Sequence, residues 1–212
     1  MYVYTLSNFL LSDFTLANTY CRNVYNRGGV AIFVRNGLEY KSLDFVNKLS
    51  IETISEASAV LIEEFNIIVL SIYRTPKYEN FHQFFYVLQS IFNSPFIVQG
   101  IYSILLCGDF NVDLLDNCNN NFKNLLCNLM ESLGLRFIVN EVTRPGQVKA
   151  GTCIDNIATS IHSDRLFVNV VKTVGSDHDA IVVKANVDKK SAHVDASNCI
   201  SNSFYRHICN YN

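Results

Sequence analysis

Long apolar runs are missing from this chain of 212 residues. No stretch reaches the ~18 consecutive apolar residues that a membrane-spanning helix needs. The longest candidate, Phe96 to Cys107, is broken by Gln99, Gly100 and Ser103. The N-terminus, MYVYTLSNFLL, is apolar, but no basic residue precedes it and Asp13 follows soon after, so it does not read as a signal peptide. Basic runs are missing too: no five Lys or Arg stand in sequence, and the net charge is −2. A protein that holds nucleic acid across its whole surface shows a basic patch or stripe, so any such contact here must be local, at one site. None of the seven cysteines (Cys21, Cys107, Cys118, Cys127, Cys153, Cys199 and Cys209) stands at C-x-x-C spacing from another. That spacing and the odd count argue against a zinc site. Several lie in apolar runs, where cysteine acts as a small hydrophobe. The expectation is a reducing, intracellular (nuclear or cytoplasmic) setting with no membrane partner.

What is present suffices for a packed core. Hydrophobic residues make up 49% of the chain and charged residues 17%, which excludes a disordered polymer and suits one domain. Val30 to Val34 follows Gly28-Gly29 and reads as a buried strand after a turn. Ala59 to Ile62 and Ile67 to Ile72 flank the polar break Glu63-Glu64-Phe65-Asn66 and read as a hairpin. Phe81, Phe84, Phe85, Leu88, Ile91 and Phe92 recur at helical spacing, as do Phe122, Leu125, Leu126, Leu129, Met130 and Leu133. Each set gives one apolar stripe for packing on a sheet, and Gly134 stands where the second helix would want a left-handed cap. Further strands are expected at Ser103–Cys107, Arg136–Val139, Ile154–Thr159, Leu166–Val171 and Ala180–Val187. Many strands with two helices between them imply a layered α/β fold. From Asp188 the chain turns polar and aperiodic, so the domain is read as residues 1–187 and the remainder, 188–212, as a linker or tail.

Four places carry candidate chemistry. Gly108-Asp109-Phe110-Asn111 follows a buried strand, and strand ends in open α/β sheets gather sites. There Asp109 could activate a water and Asn111 could hold a charged oxygen; the plainer reading is a turn, for which these residues are also suited. Ser176-Asp177-His178 lies between two strands and could hold a metal and a phosphate oxygen, or be a polar loop. Asp155 has apolar residues on both sides, and a buried carboxylate is costly unless paired. His178 is one partner, fixing its own tautomer in return; backbone groups at a strand end are the other. Tyr73-Arg74-Thr75-Pro76 ends a core strand, where the Tyr73 hydroxyl could meet a phosphate or serve structure alone.

The order of these stations carries more than any one of them. RGGVAIFVRNGL (Arg27–Leu38), LSIYRTP (Leu70–Pro76), LLCGDFNVDLL (Leu105–Leu115), VTRPGQVKAGTCIDNIATS (Val142–Ser160) and VGSDHDAI (Val174–Ile181) resemble the endonuclease/exonuclease/phosphatase superfamily. The wording is closest to the endonuclease domain of LINE-type non-LTR retrotransposons, over roughly Leu6 to Val187. Phe204-Tyr205-Arg206 resembles the linker toward a reverse transcriptase, which would be a downstream partner in a parent element. The resemblance implies an α/β fold of two mixed β-sheets packed face to face with outer helices, a four-layer sandwich. It implies Mg²⁺-dependent cleavage of a phosphodiester, with DNA as substrate. Carried over by residue, Asp109 would orient or deprotonate the attacking water and Asn111 would stabilise the pentavalent phosphorus centre. His178 would bind the scissile phosphate oxygen, Asp155 would hold His178, Asp177 would stand on the metal side, and Tyr73 would contact the phosphate.

The family pattern opens with a strand ending in Asn and a second ending in Glu, the main Mg²⁺ ligand. Neither motif is found ahead of Leu6-Ser7-Asn8, and Glu52 and Glu56 belong to a later strand region. The first strands and that ligand are therefore expected to be lacking, with impaired metal binding and activity, at least ~10³-fold in rate. The alternative is a catalytically inert module that binds nucleic acid or protein through the same face; a phosphatase for small molecules or lipids is a third reading.

Overall fold

The structure is a computed structural model that describes residues 11–25, 28–115, 121–146, 151–189 and 202–205. Its centre is a six-stranded mixed sheet built from β3 (Tyr40–Ser42), β4 (Ser55–Ile62), β5 (Ile67–Arg74), β6 (Ser103–Asp109), β7 (Arg136–Phe137) and β8 (Asp155–Thr159). The strand order is β3-β4-β5-β6-β8-β7. β4 and β5 form the expected hairpin. Ile62 pairs with Ile67 across the turn Glu63–Phe65, which closes on Asn66 in the left-handed region (φ 55°). Only β5 and β6 run parallel, so the chain must cross over between them, and it does so through the helix α2 (Phe81–Phe92).

The two faces of this sheet bury different sets. Ala57, Ala59 and Leu61 of β4, Leu70 and Ile72 of β5 and Leu106 of β6 pack on the stripe Phe81, Phe84, Leu88 and Ile91 of α2. They also meet Leu126, Leu129 and Met130 of α4 (Asn121–Ser132) and Val46 of the short helix α1 (Asp44–Leu49). Burying one such side chain stabilises the fold by ~1.5–3 kcal/mol. Gly134 ends α4 as expected: its φ is 68°, its N–H donates to Glu131 and the Leu135 N–H to Met130.

The opposite face carries Val60, Ile62, Ile67, Leu105, Cys107 and Ile157. It is covered by strands. β1 (Phe14–Cys21) and β2 (Gly29–Arg35) form one antiparallel pair; β9 (Leu166–Val171), β10 (Ala180–Ala185) and β11 (Asn202–Tyr205) form a second sheet in the order β11-β10-β9. Ile32 and Val34 point inward from the first, Ile181 and Val183 from the second. The face-to-face strand layers are thus present, one of them as two antiparallel pieces. Among the described residues the packed helices sit on one side only.

β1, β3, α1 and a short helix α3 (Pro95–Gln99) had no counterpart in the periodicity reading. β11 falls inside the stretch read as a polar tail. Leu6-Ser7-Asn8 and three of the cysteines, Cys118, Cys199 and Cys209, fall outside the described residues. Cys21, Cys107, Cys127 and Cys153 form no disulfide among the described residues. No helix among the described residues is long and apolar enough to cross a membrane.

Candidate active site

Four strands of the central sheet place one residue each at the same level. Glu56 pairs with Tyr73, Tyr73 with Asp109, and Asp109 with Asp155. Paired residues share a face of a sheet, so these side chains form a row across β4, β5, β6 and β8. They stand on the face turned to the second strand layer, two residues beyond Cys107 and Ile157 of the apolar core. The row ends where apolar packing ends, which is why carboxylates can stand there.

The backbone beneath the row is tightly built. A Cβ on Gly108 would lie 2.2 Å from the carbonyl oxygen of Ile72, so only glycine lets β6 approach β5 this closely just before Asp109. The chain then turns: Asn111 has φ 48°, a conformation asparagine tolerates better than most residues. Phe110, fully buried, packs edge-on against Phe137 at 5.2 Å and anchors the turn. Arg74 holds it from the other side. Its Nε donates to the Phe110 carbonyl (2.6 Å), Nη2 to that of Asn111 (2.9 Å) and Nη1 to that of Lys77 (3.2 Å), over the rings of Phe81 and Phe84.

His178 arrives from the loop between β9 and β10. Its Nδ1 lies 2.7 Å from Oδ2 of Asp155, and both side chains are buried. The Thr143 hydroxyl donates to the same Oδ2 (3.0 Å) and accepts the Asp155 N–H (3.1 Å), while the Thr143 carbonyl accepts the Asp179 N–H (2.7 Å). Thr143 thereby ties β8 to the loop that bears His178. With Nδ1 committed to Asp155, Nε2 is the nitrogen left for a ligand.

Asp109, Asp155 and His178 each bring one ligating atom within 4.8 Å of the others. Burial first, then the charge of Asp155, push the Asp109 carboxyl up to about 7, against the Asn111 N–H and the charges of His178 and Arg144. Burial opposes charge on His178, but the hydrogen bond it donates to Asp155 and the charges of Asp155, Asp109 and Asp177 outweigh it and raise its affinity for a proton. Among the described residues, Oδ1 of Asp155 is buried with no hydrogen-bond partner. A crowded anionic cluster with an unmatched oxygen fits a divalent cation, and its oxygen donors suit a hard ion such as Mg²⁺.

The remaining sequence candidates sit around this trio. Tyr73 lies beside Asp109 in the row; burial, then the Asp109 charge, raise the pKa of its hydroxyl. Asn111 turns its side-chain amide to the Arg74 carbonyl (2.6 Å), and its backbone N–H donates to Asp109 Oδ1 (2.9 Å). Asp177 is exposed, paired with Arg144 at 2.7 Å and 4.0 Å from Nε2 of His178, so it stands at the rim rather than in the trio. Glu56, set apart in the sequence reading as part of a later strand region, is fully buried in the row. Its Oε1 accepts from Arg22 Nε (2.5 Å) and the Thr53 N–H (3.0 Å), and its Oε2 has no partner among the described residues. Thr143 and Arg74 were given no role from sequence. Arg74 carried a signal, an arginine closing an apolar strand with no acid nearby to pair it; Thr143 carried none. Two shallow depressions of about 220 Å³ lie elsewhere, along β9 and β7; the first is lined by Asp164, Arg165 and Lys184, and neither includes a residue of the trio.

No family model and no curated protein matches the sequence. Solved structures do match. The endonuclease domain of TRAS1, a telomere-specific non-LTR retrotransposon, superposes with a TM-score of 0.56 at 15% identity, over 82% of this chain and 79% of that one. An endonuclease/exonuclease/phosphatase family protein from Bacteroides thetaiotaomicron gives 0.52 at 13%, over 81% and 72%. The catalytic domain of human Nocturnin gives 0.53 at 17%, over 88% and 75%.

The chain has the endonuclease/exonuclease/phosphatase fold.

The row stands on the sheet face turned to the second strand layer, and its acidic residues come from strands far apart in sequence. At these identities the likeness concerns the fold, and the chemistry must be argued from the side chains themselves.

Proposed function

We propose that this chain is a metal-dependent phosphodiesterase, an endonuclease of the retrotransposon type that nicks DNA. The observation that carries the proposal is the buried trio of Asp109, Asp155 and His178. An Asp–His pair with its Nε2 not engaged by Asp155, beside a second carboxylate titrating at about 7, is an acid–base set for hydrolysis near neutral pH.

Asp109 is the base in this reading, because a carboxyl raised to about 7 can take a proton from water and still be ionised in half of the molecules at that pH. Asp155 holds the His178 ring in the tautomer with hydrogen on Nδ1 and stabilises its charged form. Protonated His178 donates through Nε2 to a phosphate oxygen. Tyr73 offers its hydroxyl to the same group, and the second amide hydrogen of Asn111 remains for a charged oxygen. Oδ1 of Asp155 is the oxygen that would hold Mg²⁺, with Asp177 at the exposed rim. The bound cation would stabilise charge building on the phosphate oxygens.

DNA as the substrate is supported by the retrotransposon-like wording of the motifs. Glu56 is committed to Arg22 and the Thr53 N–H and lies outside the trio, so the impairment expected from a missing metal-binding glutamate stays part of the proposal, and cleavage is expected to be slow. The test sets a labelled DNA duplex against p-nitrophenyl phosphate, with Mg²⁺. Internal cleavage of the duplex without release from the monoester is the expected result. Release from the monoester with an intact duplex would make the protein a phosphatase. Loss of neither substrate, with the duplex bound, would make it an inert binding module.

A further inference from the structure

Arg22 is a cation placed with more structural support than an ordinary surface arginine. It follows β1 directly, and its guanidinium is enclosed on three sides. Nε is held at 2.5 Å by Glu56, a fully buried carboxylate that accepts the Thr53 N–H through the same oxygen. The guanidinium carbon stands 5.7 Å from the centre of the Tyr73 ring. On the third side is Gly28, where a Cβ would lie 2.2 Å from that carbon and 2.5 Å from Nε and Nη1. Its φ of 104° is in any case one that favours glycine. The side chain still keeps 14% of its surface exposed.

The placement has a direction. Arg22 lies at the Glu56 end of the row Glu56–Tyr73–Asp109–Asp155; Arg144, paired with Asp177, stands at the His178 end. Adjacent strands are ~4.8 Å apart, so Glu56 on β4 and Asp109 on β6 are separated by roughly 10 Å. With its guanidinium against Tyr73 and paired with Glu56, Arg22 stands to one side of the phosphate at Asp109 and His178. It is suited to the next phosphate along a polynucleotide backbone. A phosphodiester approaching several carboxylates also needs cations beside them, and a guanidinium meets phosphate through a planar fork of N–H groups.

We propose that Arg22 binds the backbone phosphate adjacent to the scissile one, and that Glu56 and Gly28 aim it there. The inference rests on the nuclease reading above. It makes the end of β1 a subsite that requires a polynucleotide, since a lone phosphodiester or a monoester has no neighbouring phosphate to offer. Arg22 is a binding residue in this account, and Glu56 a positioning residue that acts through it.

The experiment is binding of a short fluorescein-labelled DNA duplex by the full chain, followed by anisotropy over a range of salt, with Ca²⁺ in place of Mg²⁺ to hold off cleavage. Arg22→Gln is expected to weaken binding about 10-fold, as loss of one charged hydrogen-bonding partner does, and to lower the slope of log affinity against log salt by about one unit. Arg22→Lys, which keeps the charge and loses the fork, is expected to restore the slope and part of the affinity. Gly28→Ala removes no charge but displaces the guanidinium, and is expected to weaken binding as well. Arg22→Gln binding like the wild type overturns the proposal, as does a loss of affinity with no change in salt slope. Failure of the wild type to bind the duplex overturns it too. If Arg22→Gln lowers the melting temperature enough to leave its binding ambiguous, Gly28→Ala decides: unchanged affinity there overturns the proposal. If the variants behave as expected while the wild type cleaves nothing, the subsite stands and the nuclease reading falls.

Discussion

Oδ2 of Asp155 accepts two hydrogen bonds, from Nδ1 of His178 at 2.7 Å and from the Thr143 hydroxyl at 3.0 Å, while Oδ1 of the same carboxylate accepts none among the described residues. One oxygen is committed to holding the imidazole; the other is available to a ligand. In the proposed centre this asymmetry would let a single buried aspartate serve both the histidine and a metal.

Asp155→Asn is therefore expected to lower the nicking rate by up to ~10⁴-fold, the loss seen when a carboxylate that orients a catalytic histidine is replaced by its amide. An amide can present its NH₂ to Nδ1 and favour the opposite tautomer. Duplex binding is expected to remain within a few-fold of wild type. Equal losses of rate and binding in the two measurements would make Asp155 a structural residue only.

The elevated proton affinity of Asp109 makes stability depend on pH with a definite sign. Its carboxyl sits at about 7 in the folded protein and near ~3.9 in an unfolded chain. Between those values the folded state keeps a proton that the unfolded state has lost, so stability falls as pH rises from about 4 to about 7. His178, raised by its carboxylate neighbours, contributes stability that is also lost as pH rises through its folded value, so the two act in the same direction. Asp109→Asn is expected to raise the melting temperature at pH 8 by roughly 5 °C and to leave it nearly unchanged at pH 4. Mg²⁺ should stabilise the wild type more at pH 8 than at pH 5, and Asp109→Asn less than the wild type. A melting temperature that rises with pH across this window would contradict the assignment.

Arg74→Leu is expected to destabilise the fold by ~3 kcal/mol or more, read as a shift in the denaturation midpoint. It leaves the carbonyls of Phe110, Lys77 and Asn111 without the donor they share. It should also reduce nicking, because the turn that carries Asp109 and Asn111 loses its clamp. A variant as stable as the wild type would show that these carbonyls find other partners.

Much of the central architecture was legible in sequence, and for physical reasons. β5 is rich in β-branched residues, β4 and β6 hold short apolar runs, and α2 and α4 carry apolar stripes at helical spacing. β1 escaped because Phe14–Cys21 is half-buried along most of its length, with Asn18 facing inward to bond Ala59 and Asn47, so no period-two pattern of hydrophobicity marks it. Asp155 could be matched with His178 because a carboxylate in an apolar run needs a partner. Thr143 could not be found, since one threonine in a polar loop looks like any other. Glu56 was missed because strand register, which sets it opposite Tyr73, follows from the folded sheet and from no local feature of the sequence.

The central claim is that Asp109, Asp155 and His178 form a metal-assisted hydrolytic centre for DNA. Its most direct test is the initial rate of supercoiled plasmid nicking by the full chain with Mg²⁺, with and without EDTA, beside Asp109→Ala and His178→Ala. The expected result is nicking that needs Mg²⁺, stops with EDTA and falls at least ~10²-fold in each variant. Nicking that persists in EDTA, or at wild-type rate in Asp109→Ala, would contradict the account.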